Sequence, residues 1–154
     1  MIGPFEELLV QLSHFLHIPL HVDHNSSCLL QIREKIQIQL QLDSMQNNLW
    51  MVCFAVEIPP GKFRENVLKE ALKTNNLPDP ISAVISYIPQ TNRLVLHQIF
   101  PLNILNGERL AAYFGSFLEQ VESWIQAIEQ GRPAPVLIAS DERSPTPFDI
   151  KPNL

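Results

Sequence analysis

Residues 106–128, Asn106-Gly-Glu-Arg-Leu-Ala-Ala-Tyr-Phe through Trp124-Ile-Gln-Ala-Ile128, limit the fold more than any other stretch, because they read as one long two-faced helix. Leu110, Ala111, Tyr113, Phe114, Phe117, Leu118, Val121, Trp124, Ile125 and Ile128 recur at three- and four-residue spacing, which gathers them on one wide face. Glu119, Gln120, Glu122, Ser123, Gln126 and Glu129 take the wet side. Burying each large apolar side chain is worth about 1.5–3 kcal/mol, while fixing the backbone costs about 1–2 kcal/mol per residue. Such a helix is stable only against a second apolar surface, and it needs a sheet to lie on. Asn106 is expected to cap its first turn, and Gly131 followed by Pro133 to end it.

The strands for that sheet are legible. Lys35-Ile-Gln-Ile-Gln-Leu-Gln-Leu42 alternates without a fault, so Ile36, Ile38, Leu40 and Leu42 face a core and Gln37, Gln39 and Gln41 face out. Cys28–Ile32 precedes it across a turn at Arg33-Glu34. Leu49–Val56 follows a polar turn, Asp43–Asn48, and is apolar on both faces, so its second face is expected to be covered by a helix, a subunit or a bound partner. Ser82–Ile88 and Arg93–Phe100 flank Pro89-Gln-Thr-Asn92 and read as a hairpin.

Two further helices complete the order. Residues 4–17 place Phe5, Leu8, Leu9, Leu12, Phe15 and Leu16 on one stripe, with Glu6 and Glu7 in the first turn, and Pro19 ends the element. Residues 63–76 place Phe63, Val67, Leu68, Ala71 and Leu72 on one face before Pro78 and Pro80. The expected fold is α+β, an antiparallel twisted sheet of about five strands with three helices in the order α-β-β-β-α-β-β-α. Residues 1–130 form the expected domain. Residues 131–154 hold five prolines and are expected to be a flexible tail in which Val136-Leu-Ile138 can dock locally.

Composition narrows the function. Eleven Lys and Arg against sixteen Asp and Glu give a net charge of -5, which opposes sequence-independent phosphate binding and makes nucleic acid a poor partner. No apolar run approaches the roughly 18 residues of a membrane span, and the N-terminus lacks a signal-peptide pattern, so a soluble cytoplasmic protein is expected. Cys28 and Cys53 fall inside strands with no CxxC spacing and read as buried thiols. His14, His17, His21 and His24 have an inviting spacing for a metal, but Pro19 prevents one continuous helix from presenting all four. There is no nucleophile elbow, catalytic-cysteine signature or evident carboxylate pair, and the five scattered glycines make no phosphate loop. Neither enzyme activity, a metal nor a cofactor is expected.

The element order, the Asn106-Gly-Glu-Arg-Leu-Ala-Ala-Tyr opening of the last helix and its Trp124-Ile-Gln sequence resemble the class I type III secretion chaperones, the SycE-like and Tir-chaperone proteins. Phe63-Arg-Glu-Asn-Val-Leu-Lys-Glu-Ala-Leu72 and Leu94-Val-Leu-His-Gln-Ile-Phe-Pro-Leu102 are similar to that family as well, and the likeness runs over residues 5–130. It implies a homodimer in the bacterial cytoplasm that binds the N-terminal segment of a secreted effector and delivers it to the export apparatus, with the export ATPase as a further partner. It implies a dimer interface at Val67, Leu68, Ala71, Leu72, Val84 and Ile85. It implies effector contacts at Phe5, Leu8, Leu9, Leu12, Leu30, Ile32, Trp50 and Phe54. The residues alone also permit a second reading, a non-enzymatic adaptor that offers its proline-rich tail to a folded partner as a polyproline II ligand.

Overall fold

A computed structural model of the chain describes residues 3–45, 47–77 and 82–136. The order is α1 (Pro4–Leu16), β1 (Ser27–Ile32), β2 (Ile36–Leu42), β3 (Asn48–Glu57), α2 (Lys62–Asn75), β4 (Val84–Ile88), β5 (Arg93–Pro101), a 3-10 turn (Leu102–Ile104) and α3 (Gly107–Glu129). This is the α-β-β-β-α-β-β-α order expected from the sequence. The five strands make one antiparallel sheet in the spatial order β1-β2-β3-β5-β4.

Local chemistry sets the element ends. The Asn106 side chain accepts the Arg109 N–H at 2.8 Å, the expected cap of α3. At its other end Gly131 adopts φ 74°, and its N–H and that of Arg132 return to the carbonyls of Ile128 and Ala127, closing the last turn. In the turn between β2 and β3 the Asp43 carboxylate accepts from the Asn47 N–H and the Asn48 side chain. Asn92 takes a left-handed conformation in the β4–β5 turn, and its side chain accepts the Tyr87 hydroxyl at 2.7 Å.

The register sorts side chains onto two faces. Cys28 and Leu30 lie across from Leu40 and Ile38, Leu40 from Met51, and Cys53 from Leu96, so these residues share the face on which α1 and α3 pack. The ten apolar positions read on α3 are all buried or half-buried in this core, which is continuous with Leu9 and Leu12 of α1. The Gly107 N–H donates to the Gln11 side chain at 2.8 Å, and a Cβ at Gly107 would collide with Gln11, so only glycine lets α1 approach the start of α3 this closely.

Two expected stripes are narrower than the spacing suggested. Phe15 of α1 is 54% exposed and Leu72 of α2 is 70% exposed, because each lies past the edge of the surface its helix covers. The β4 strand starts at Val84 instead of Ser82, since the Ala83 N–H turns to the Gln120 side chain at 3.0 Å. Leu137 and Ile138 of the tail lie outside the described residues, as does the rest of the tail beyond Val136.

Candidate partner-binding face

The same register that builds the core leaves a second face of the sheet with no helix on it among the described residues. In one row Leu29 lies opposite Gln39, Gln39 opposite Val52, Val52 opposite His97, and His97 opposite Val84. In the next row Gln41 lies opposite Trp50 and Trp50 opposite Ile99. Phe54 lies opposite Val95, after which the register slips by one residue and leaves Ala55 as a bulge. Trp50, Phe54, Ile99, Val84 and Leu29 are all exposed, so among the described residues the outer half of the doubly apolar strand β3 has no cover.

The face has two chemical halves. On β1 and β2 it is amide: Gln37 donates to Gln31 at 2.7 Å, and Gln39 donates to Ser27 at 2.9 Å and to Gln41 at 3.2 Å, so the side chains bond one another in a ladder. On β3, β5 and β4 it is apolar and aromatic. The Trp50 and His97 rings stack with centroids 6.3 Å apart, and burial pushes the His97 imidazole below its usual pKa, which favours the neutral ring on an apolar surface. Where the halves meet, a concavity of about 550 Å³ is lined by Leu29, Gln37, Val52, Phe54, Lys35 and Arg93, among others. Arg93 donates to the Phe54 carbonyl at 3.0 Å there.

The two edges of the sheet differ as sharply. Asn75, at the end of α2, donates to the Ile85 carbonyl at 2.7 Å and accepts the Ile85 N–H at 2.8 Å, so one side chain satisfies both outward groups of an edge residue. With Gln120 on the Ala83 N–H, side chains cover the Ala83–Ile85 part of the β4 edge. On β1, Ser27 exchanges bonds with Asp23, through its carbonyl at 2.9 Å and its N–H at 3.0 Å, so its backbone groups point away from β2. By the two-residue period the groups of Leu29 and Gln31 point the same way, and among the described residues nothing bonds them.

The expected effector contacts divide between core and surface. Phe5, Leu8, Leu9, Leu12 and Leu30 are buried under α3 and against the covered face, and Ile32 is half-buried, whereas Trp50 is 37% and Phe54 47% exposed. Helical spacing shows that Phe5, Leu8, Leu9 and Leu12 share a face, and the structure gives that face to the protein's own interior. Among the expected dimer contacts Val67, Ala71 and Ile85 are buried within the chain, Leu68 is half-buried, and Leu72 and Val84 present surface. Leu29 and Ile99 join the open face without having been singled out; the alternation of their strands was the available signal. Among the described residues no three His, Cys, Asp or Glu side chains come together as metal ligands, the histidines around Pro19 included. Among those residues, too, no helix is long and apolar enough to cross a membrane.

The sequence profile of the Tir chaperone protein (CesT) family matches residues 7–125. The chain belongs to this family of type III secretion chaperones. Solved structures repeat its fold. The HopA1–SchA chaperone–effector complex is 20% identical over 80% of this chain and 94% of that chain, with a TM-score of 0.65. The ExsC–ExsE complex is 18% identical over 79% of this chain and 90% of that one, with a TM-score of 0.63. The heterodimeric ExoU–SpcU complex from the type III secretion system of Pseudomonas aeruginosa is 15% identical over 79% and 98%, with a TM-score of 0.61. At these identities the likeness is one of fold. No curated protein sequence matches the chain significantly.

Proposed function

We propose that this chaperone acts in the bacterial cytoplasm as a homodimer that holds the N-terminal segment of a secreted effector in partly extended form and hands it to the export apparatus, its ATPase included. The observation that carries the reading is the open apolar face of Trp50, Val52, Phe54 and Ile99 in a chain of the Tir chaperone family. An exposed patch of this kind on a sheet is a place for another chain. A client laid across it gains apolar burial from β3 and β5 and amide bonds from the glutamine ladder, and a client strand gains main-chain bonds from the open β1 edge. The net charge of -5 favours basic or neutral client segments and keeps the free dimer soluble. This activity requires neither catalysis nor a cofactor.

For the dimer, Leu72 and Val84, with half-buried Leu68, offer apolar surface beside the β4 edge. Light scattering on the purified chain is expected to give twice the monomer mass. Leu72→Glu and Val84→Glu together are expected to give the monomer, since each puts a charge into a desolvated contact. A monomeric native chain, or a double variant that stays dimeric, overturns this interface.

A further inference from the structure

The apolar half of the open face has one ionisable ring at its centre. His97 has Val52 opposite it on β3 and Val84 opposite it on β4, Val95 and Ile99 on either side of it along β5, and Trp50 stacked on its ring. None of these five neighbours carries a charge. Besides His97, the titratable side chains of β3, β4 and β5 are four. Cys53 and Tyr87 lie opposite Leu96 and Leu94 on the covered face, while Glu57 and Arg93 pair at the far end of β3 and β5. Arg93 is four strand residues from His97, about 13 Å, which is beyond the screening length at cellular salt. His97 is therefore the group of this apolar half whose charge changes near neutral pH.

The ring is half-buried in the free chain, and that burial already favours its neutral form. An apolar client side chain laid over it strips off the remaining water. A neutral imidazole tolerates this, whereas an imidazolium with no carboxylate beside it loses its hydration and gains nothing in exchange. Trp50 attracts the protonated ring through its π face, but that stack is already present in the free chain and so does not favour the complex.

We propose that His97 is a specificity-determining residue of the client face: neutral, it lets an apolar client side chain settle over Trp50 and Ile99, and protonated, it turns that side chain away. This role rests on the proposed function and adds a limit to it, that the client residue seated there carries no charge. The sign of the linkage follows. Binding prefers the ring without its proton, so affinity is complete above the pKa of the free ring. It falls as pH drops through that value, by up to about tenfold for each further unit while the complex keeps the ring neutral.

The secreted protein that co-purifies with the native chaperone supplies the probe, a labelled peptide copy of the segment that the chaperone shields from protease. Its Kd is measured by fluorescence anisotropy at about pH 7.5 and about pH 5 for the native chain, His97→Phe and His97→Gln, neither of which holds a proton there. The expected result is a weakening between the two pH values at least about threefold greater for the native chain than for either variant. Magnetic resonance of the His97 ring is expected to show it taking up its proton over this range in the free chain and staying neutral with the probe bound. Equal ratios in all three proteins overturn the role of His97 and leave the client face standing. Tighter native binding at the lower pH also overturns it, because it places an anionic client group over the ring. If no secreted protein co-purifies with the native chain, the proposed function fails and this role falls with it.

Discussion

Strand β3 carries two rows of apolar side chains that the fold treats in opposite ways. Leu49, Met51, Cys53 and Ala55 are buried beneath the helices, while Trp50 and Phe54 on the alternate positions are exposed, with Val52 half-buried between them. The chemistry of the rows is similar and the larger rings are on the outside. Burial among the described residues therefore does not explain the outer row, and a partly exposed tryptophan and phenylalanine represent forgone stabilisation that a partner's apolar surface can recover.

The strongest way to break this comparison is to damage the covered side. Phe117 of α3 is fully buried in the core, and Phe117→Ala is expected to lower stability by about 3–5 kcal/mol in denaturant unfolding, through lost burial and the cavity left behind. An effect below about 1 kcal/mol would mean that α3 is not the lid of the sheet. At the edge between the faces, Asn75→Ala removes both bonds to Ile85 and is expected to cost about 1–3 kcal/mol, the range for leaving buried polar groups unsatisfied. The same variant frees the Ile85 backbone groups at the β4 edge and is expected to form species larger than the native dimer, measurable by light scattering.

Thiol chemistry sharpens the contrast with a smaller perturbation. Cys53 lies on the covered face, and burial pushes its thiol up to about 11, partly offset by the charge of Arg93; burial raises Cys28 as well. Both are expected to resist a thiol reagent at pH 8 until the protein unfolds, whereas Val52→Cys, one position along on the open face, is expected to react at once. The sign of the linkage follows from the raised pKa. The folded protein holds the Cys53 proton more tightly than the unfolded chain, so this contribution to stability is complete below about pH 9, the value of an unperturbed thiol, and is lost as pH rises through about 11.

Much of the fold was legible because periodicity is a local property. The alternation of Ile36, Ile38, Leu40 and Leu42, the α3 stripe and the Asn106 cap depend on neighbours within a turn or a strand, and the structure has them where the residues indicated. The candidate site was less legible, because a stripe shows which side chains travel together and not what they meet. The spacing of Leu9 and Leu12 fits a groove wall as well as a core, and it is the packing of α1 on α3 that puts them inside. The edges were invisible for a similar reason: Asn75 and Gln120 look like ordinary wet helix positions until the sheet brings Ile85 and Ala83 to them. The doubly apolar reading of Leu49–Val56 did point to a second cover, and the described residues supply none.

The most direct measurement of the central claim compares the native chain with Trp50→Glu and Phe54→Glu after expression in a bacterium with a working type III secretion system. Both variants sit on the open face, so each is expected to fold, losing no more than about 1–2 kcal/mol of unfolding free energy, the Trp50 variant the more because its stack on His97 goes. The account predicts that the native chaperone co-purifies with a secreted protein held by its N-terminal segment, and that each charged variant loses it. Equal retention of that client by the native chain and by both variants would contradict the assignment of the open face.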